Sequence, residues 1–253
     1  MVIDLDIFDT WPSGLIDAIE PLLSEIAMES QIETAFNLSS ERWFERSPPM
    51  PATKAAHALI GEAMAGQEIR VFHATRLINP IAIRNEGLRP LSLEAQLAMV
   101  RNELAKTLSV TGIDNLDSSI ASIDLTANFF SVRQGQVWFT PLRRQLHDGG
   151  CDVFFNHWGG EAIQRIATMT KPSMTSAIRK IGMPFVVLAR IPAFGCCKFG
   201  DSRLAPTMLG RIQERRALHQ QTNLGWDVLI ERAIPKEWIE DVLPSKDHSL
   251  RCA

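Results

Sequence analysis

The chain has 253 residues, 45% of them hydrophobic and 22% charged, with a formal net charge of −3; these values exclude disordered, collagen-like and low-complexity architectures. The length suffices to bury a sizeable core without disulfides or a structural metal, and 26 Lys+Arg against 29 Asp+Glu lack the overall basic charge of a constitutive nucleic-acid binder. Tyrosine is absent beside 12 Phe and 6 Trp, which excludes any mechanism that needs a tyrosine hydroxyl.

Taken in chain order, the first third reads as helical. Apolar residues at Leu15, Ile16, Ile19, Leu22, Leu23 and Ile26 have helical spacing and predict a helix over Ser13 to Met28. Ser39-Ser40-Glu41-Arg42 is expected to start a short helix that Ser47-Pro48-Pro49 stops, and another helix is expected from Ala52 to Ala65, closed by Gly66. The Pro-rich stretch 47–51 is the best early boundary candidate.

The texture then changes. Glu68 to His73 reads as a strand, Pro80 to Glu86 as a short helix stopped by Gly87, and Ser92 as the cap of a helix running to Leu108. Residues 109–132 are weakly patterned, with a helix expected from Ser118 to Ala127. Gln136 to Thr140 reads as a strand, Gly159-Gly160 precedes an amphipathic helix from Glu161, and Pro184 to Ile191 is the clearest strand. Ser202 to Gln221 is expected to be helical, Trp226 to Ile230 a final strand, and Lys236 to Val242 a turn of helix started by Pro235. Strands and helices interleave after residue 67. The reading is therefore an N-terminal helical region, 1–66, followed by an α+β domain over 67–253.

The start MVIDLDIFDT has no basic segment followed by an apolar run, and no stretch approaches the roughly 18 apolar residues of a membrane span. The cysteines, Cys151, Cys196, Cys197 and Cys252, form no CxxC. The expectation is a cytoplasmic protein with reduced thiols and no membrane partner; a released toxin without a cleavable signal stays open. GxGxxG after a strand, GxxxxGK[ST], GxSxG and HExxH are absent. Arg143-Arg144 and Arg211, Arg215, Arg216 are expected on solvated faces, since acidic residues are mixed among them. His147, Cys151, His157 and Glu161 are metal-ligand types within a short span, but their spacing matches no common zinc pattern, and no metal is expected.

One segment carries a resemblance. A strand ending His73-Ala74-Thr75-Arg76 is followed by a short helix and then Glu86-Gly87-Leu88-Arg89-Pro90. This resembles the first motif of the ADP-ribosyltransferase superfamily, in its diphtheria-toxin and poly(ADP-ribose) polymerase (H-Y-E) branch, where a strand ending His-Gly-Thr or His-Gly-Ser leads through a helix to Gly-Leu. Gln136-Val137-Trp138-Phe139-Thr140 stands where that branch has its second strand, and Trp226-Asp227-Val228-Leu229-Ile230 where it has an acid opening a late strand. Trp138 falls on the branch's Tyr, Asp227 on its Glu, and Ala74 on its Gly. The resemblance covers about 67–243 and implies split antiparallel sheets around an NAD cleft.

It also implies the chemistry. NAD loses nicotinamide through an oxocarbenium-like transition state, so positioning and electrostatic stabilisation dominate. His73 would hold a ribose hydroxyl, Thr75 the ribose or amide, and Arg76 the pyrophosphate. Ala74 and Phe139 complete the cofactor-binding set, and Trp138 would stack on the nicotinamide. Two acids compete to stabilise the developing charge. Asp227 has the branch's position; Glu161 has the glycine pair before it and a place in a helix's first turn, and is weighted slightly higher. Glu231 ranks below both.

The functional expectation is an NAD-dependent mono-ADP-ribosyltransferase, of a toxin or anti-phage kind, acting on a protein or on RNA or DNA, with an antitoxin or other neutralising protein as a possible partner. Two alternatives stand beside it: an RNA 2′-phosphotransferase-like enzyme, and a catalytically inert module of the same fold that binds a protein or nucleotide.

Overall fold

A computed structural model describes residues 1–39, 50–106, 110–121, 134–147, 149–169, 172–197, 201–216, 227–247 and 250. The short helix expected to start at Ser39-Ser40-Glu41-Arg42 lies outside these residues but for Ser39, Trp226 lies outside them, and so do the last residues of the helices expected to reach Leu108, Ala127 and Gln221. The chain divides into two compact units, Met1–Ile69 with Pro192–Trp226, and Arg70–Ile191 with Asp227–Ala253.

In the first unit, β1 (Val2–Ile3) is followed by α1 (Leu15–Ile19), α2 (Leu23–Ser39) and α3 (Pro51–Met64). The helix expected as one piece over Ser13 to Met28 is broken by a 3-10 turn, Glu20–Leu22, because Pro21 has no N–H to give the preceding turn. β1 pairs in parallel with Glu68 and Ile69, the first residues of β2 (Glu68–Leu77). The unit's core is apolar side chains from α1, α3 and the later α10, including Ile19, Ile60, Met64 and Leu204.

In the second unit, β2 leads into α4 (Pro80–Glu86), whose first turn is capped by the Asn79 side chain, accepting from Ile81 N at 3.1 Å. Then come α5 (Leu93–Ala105), capped by Ser92 as the sequence suggested, and α6 (Val110–Ala121). β3 (Val137–Phe139) precedes a 3-10 turn, Arg143–His147, and three short helices: α7 (Gly149–Asn156), α8 (Gly160–Met169) and α9 (Pro172–Ile178). β4 (Met183–Pro192) leads into the first unit's α10 (Asp201–Arg215), and the chain returns with β5 (Val228–Ile230) and β6 (Ile239–Pro244).

β2, β4 and β6 lie side by side, with β6 antiparallel to β4, while β3 and β5 form a separate antiparallel pair. The protein is therefore mixed α and β. The expected helical turn over Lys236 to Val242 is corrected. Only Lys236–Trp238 is a 3-10 turn, and Ile239 onward is strand. The edge of β4 offers ladder partners to this segment, and pairing there overrides local preference. α4 is held to β6 by Arg84, which donates to the Asp241 carboxylate and, at 3.2 Å, to the Val242 carbonyl.

Two cores support this unit. Leu93, Leu97, Val100 and Leu104 repeat at helical spacing along α5 and meet Leu116, Ile163 and Ile178 from other helices and Trp158 from the turn between α7 and α8. Phe72 and Ala74, on one face of β2, meet Leu146, Val186 and Leu250. The period-2 alternation of a strand then puts His73 and Thr75 on the opposite face.

Candidate functional site

The two groups of strands meet at Phe72 and Thr140. Phe72 and Thr140 exchange both backbone hydrogen bonds, each 2.8 Å, so the middle of β2 lies beside the end of β3. Beside this junction is a cleft of about 360 Å³, within the size range of small-molecule sites. His73, Ala74, Thr75, Trp138, Phe139, Glu161 and Asp227, all chosen from the sequence, line it.

The junction sets the histidine. His73 follows Phe72, and its Nδ1 is 2.7 Å from the carbonyl oxygen of Trp138. A carbonyl only accepts, so Nδ1 carries the proton and donates it, and Nε2 presents a lone pair. Burial pushes the imidazole below its ordinary value, with the Trp138 carbonyl opposing in part. The ring is neutral near pH 7. Phe139 stands edge-on to it, with centroids 5.7 Å apart.

β3 and β5 set the tryptophan and one acid. Val137 and Phe139 are buried, and Trp138 between them is half-buried and faces the other way. Phe139 is paired with Val228, so Asp227, just before β5, stands at the exposed end of the same ladder. Glu231 is exposed beyond the other end of β5, where its carboxylate is 3.5 Å from Gln136 Nε2.

The second acid is set by two glycines. Glu161 lies in the first turn of α8. Gly159 and Gly160 have φ of +77° and +64°, and a Cβ on them would stand 2.3 Å from Ile163 Cγ1 and 2.7 Å from Phe154 Cδ1 respectively. A side chain at either position would be strained at this positive φ and would force the turn or the Ile163 and Phe154 side chains to shift.

Arg76 has a different place from the pyrophosphate contact expected of it. Its guanidinium donates to the carbonyls of Phe155 (2.7 Å), Ile181 (2.9 Å) and Gly182 (2.6 Å), and it does not line the cleft. It closes the end of α7 and clamps the approach to β4. Arg89 lines the cleft instead and is exposed, 2.9 Å from Glu86. In the sequence, Arg89 stands out only as part of the Gly-Leu motif. Gln96 and Gln136 also line the cleft and were not foreseen; each has a buried side-chain oxygen with no hydrogen-bond partner among the described residues. Their only sequence signal is adjacency to recognised elements.

His157 is buried at the turn between α7 and α8 and accepts from Arg179 Nε at 3.1 Å through Nε2. Burial, then the charges of Arg179 and Arg76, push its pKa down. Among the described residues, no three His, Cys, Asp or Glu side chains stand together as a metal would require. Arg143 is buried rather than on a solvated face, with its guanidinium 5.0 Å from the Phe72 ring centroid. Among the described residues, no helix is long and apolar enough to cross a membrane. Comparison with family models, curated proteins and solved structures finds no match to this chain.

Proposed function

We propose that the chain is an NAD-dependent mono-ADP-ribosyltransferase, with an ADP-ribosyltransferase-like catalytic fold, that acts as a toxin or anti-phage effector on a macromolecular target. The observation that carries this reading is the His73 imidazole, oriented by the Trp138 backbone, in one cleft with the Trp138 side chain and two acids.

In this reading the Nε2 of His73 accepts a hydrogen bond from a ribose hydroxyl and Thr75 adds a second polar contact. The Trp138 face stacks on the nicotinamide, and Arg89 meets the pyrophosphate. The bond from ribose C1′ to the nicotinamide nitrogen breaks, and nicotinamide leaves with the electron pair. Glu161 or Asp227 stabilises the positive charge that develops on the ribose. The acceptor's nucleophile then forms the new bond to C1′ and gives up its proton.

The test is incubation of the purified protein with labelled NAD and cell extract. Label should enter protein or nucleic acid with release of nicotinamide. His73→Ala should cut the rate by about 100-fold or more. Glu161→Gln and Asp227→Asn are compared in parallel, and the deeper loss identifies the acid. If NAD is neither bound nor consumed, the reading fails and an inert binding module takes its place.

A further inference from the structure

Cys196 and Cys197 follow the end of β4, and neither lines the cleft, so their chemistry is independent of the transferase reading. Their sulfur atoms are 3.2 Å apart, and the Cys196 thiol also reaches the Pro192 carbonyl at 3.2 Å. Both residues are half-buried, which leaves them within reach of a small oxidant. Adjacent cysteines rarely turn their sulfurs toward each other, because extended backbone sends successive side chains to opposite sides. Here the turn after β4 brings them together.

We propose that Cys196 and Cys197 form a vicinal dithiol that a hydroperoxide closes reversibly to a disulfide. The thiolate of one cysteine attacks a peroxide oxygen, breaking the O–O bond, forming a sulfenic acid and releasing an alcohol, or water from hydrogen peroxide. The second thiolate attacks the sulfenic sulfur, the S–S bond forms, and hydroxide leaves and is protonated to water. The two thiols lose two electrons and the peroxide gains them; the two thiol protons end in the products. Neighbouring Cα atoms stand about 3.8 Å apart, closer than the roughly 4.4 Å lower limit of ordinary disulfides, so the closed ring is strained. Strain makes a disulfide easy to reduce, which suits a reversible site rather than a structural bond.

The chain offers a direct test. Trypsin cuts after Arg190 and after Lys198, so both cysteines leave on one peptide, 191–198. The reduced full-length protein is treated with hydrogen peroxide, blocked with iodoacetamide, digested and weighed. The expected peptide is two hydrogens lighter than the dithiol form and carries no alkyl group, and reduced glutathione before blocking restores double alkylation. In Cys196→Ser and Cys197→Ser the surviving thiol should stop at the sulfenic acid and be captured by dimedone. Double alkylation after peroxide, separate oxidation of the two sulfurs to sulfinic acids, or recovery of the peptide only as a cross-link between chains would each overturn the proposal.

Discussion

The Nδ1 of His73 and the carbonyl oxygen of Trp138 are 2.7 Å apart, so the backbone of one cleft residue fixes the tautomer of another. The contact exists because Phe72, one residue before the histidine, is bridged to Thr140, two residues after the tryptophan. Register between two short strands is thereby converted into the direction of a lone pair.

The first prediction concerns pH. The folded His73 and His157 titrate below the ordinary 6.5, because burial disfavours the imidazolium. Between the lowered folded value and the unfolded one, the unfolded chain binds more protons. Their contribution to stability is therefore complete above about pH 6.5 and is lost progressively as pH falls below it. Thermal melts should show a constant midpoint from about pH 7 to 8 and a falling one below about 6.5. His157→Gln should flatten part of that fall, and an unchanged slope in this variant would remove His157 from the account.

A second prediction separates two arginines. Arg76→Ala strips three carbonyls of a charged donor and should cost about 2–4 kcal/mol of stability, read from urea unfolding. Arg89→Ala touches an exposed side chain and should change stability by no more than about 0.5 kcal/mol. Under the transferase reading the order reverses for binding: Arg89→Ala should weaken NAD markedly and nicotinamide alone hardly at all. Equal weakening of both ligands would show that Arg89 does not meet the phosphates.

Gly87→Ala supplies a third. The residue has φ +82°, and a Cβ there would stand 2.0 Å from the Ile234 carbonyl oxygen. The obstacle is backbone, and Leu88 is bridged to the same Ile234 by hydrogen bonds of 3.0 and 2.8 Å, so relief requires opening the bridge. A loss of about 2–3 kcal/mol is expected, seen as a drop of several degrees in the melting midpoint. An unchanged midpoint would mean that the chain yields freely here.

These residues also mark where the sequence is legible. Gly87 reads as a helix stop, and it is one, but the stronger constraint on it is Ile234, which lies 147 positions later and leaves no local trace. His73 and Trp138 stand out because each sits on a short apolar run bounded by turn residues, and Glu161 because two glycines precede it. Arg76 could not be read in the same way. Nothing in its neighbourhood along the chain distinguishes a guanidinium facing a ligand from one facing carbonyls on α7 and before β4. α7 and α9 have eight and seven residues, too few for periodicity to register, and β6 depends on the edge of β4 rather than on its own pattern. Mixed α and β content was legible for the opposite reason: the elements that establish it are long or sharply bounded.

The last prediction rests on a helix capped from another helix. α3 begins with Pro51, which has no N–H to satisfy, and Met50 before it supplies no side-chain cap. The Glu29 carboxylate, buried on α2, takes that role: it accepts from Ala52 N at 2.8 Å, Thr53 N at 2.9 Å and the Thr53 hydroxyl at 2.7 Å. Burial alone would raise its pKa, but the Thr53 hydroxyl and the two N–H groups outweigh it and hold the folded value below the ordinary 4.5. The ionised form thus favours folding. Its contribution is complete above the unfolded value and is lost as pH falls through the lower folded one. Glu29→Gln turns an acceptor-only group into one whose NH2 faces donors, and should cost about 1–2 kcal/mol at about pH 7. The gap between variant and wild type should close as the pH is taken below about 4.5, because the wild-type carboxylate is then protonated as well. A gap of the same size in acid and at neutral pH would show that charge plays no part in the cap.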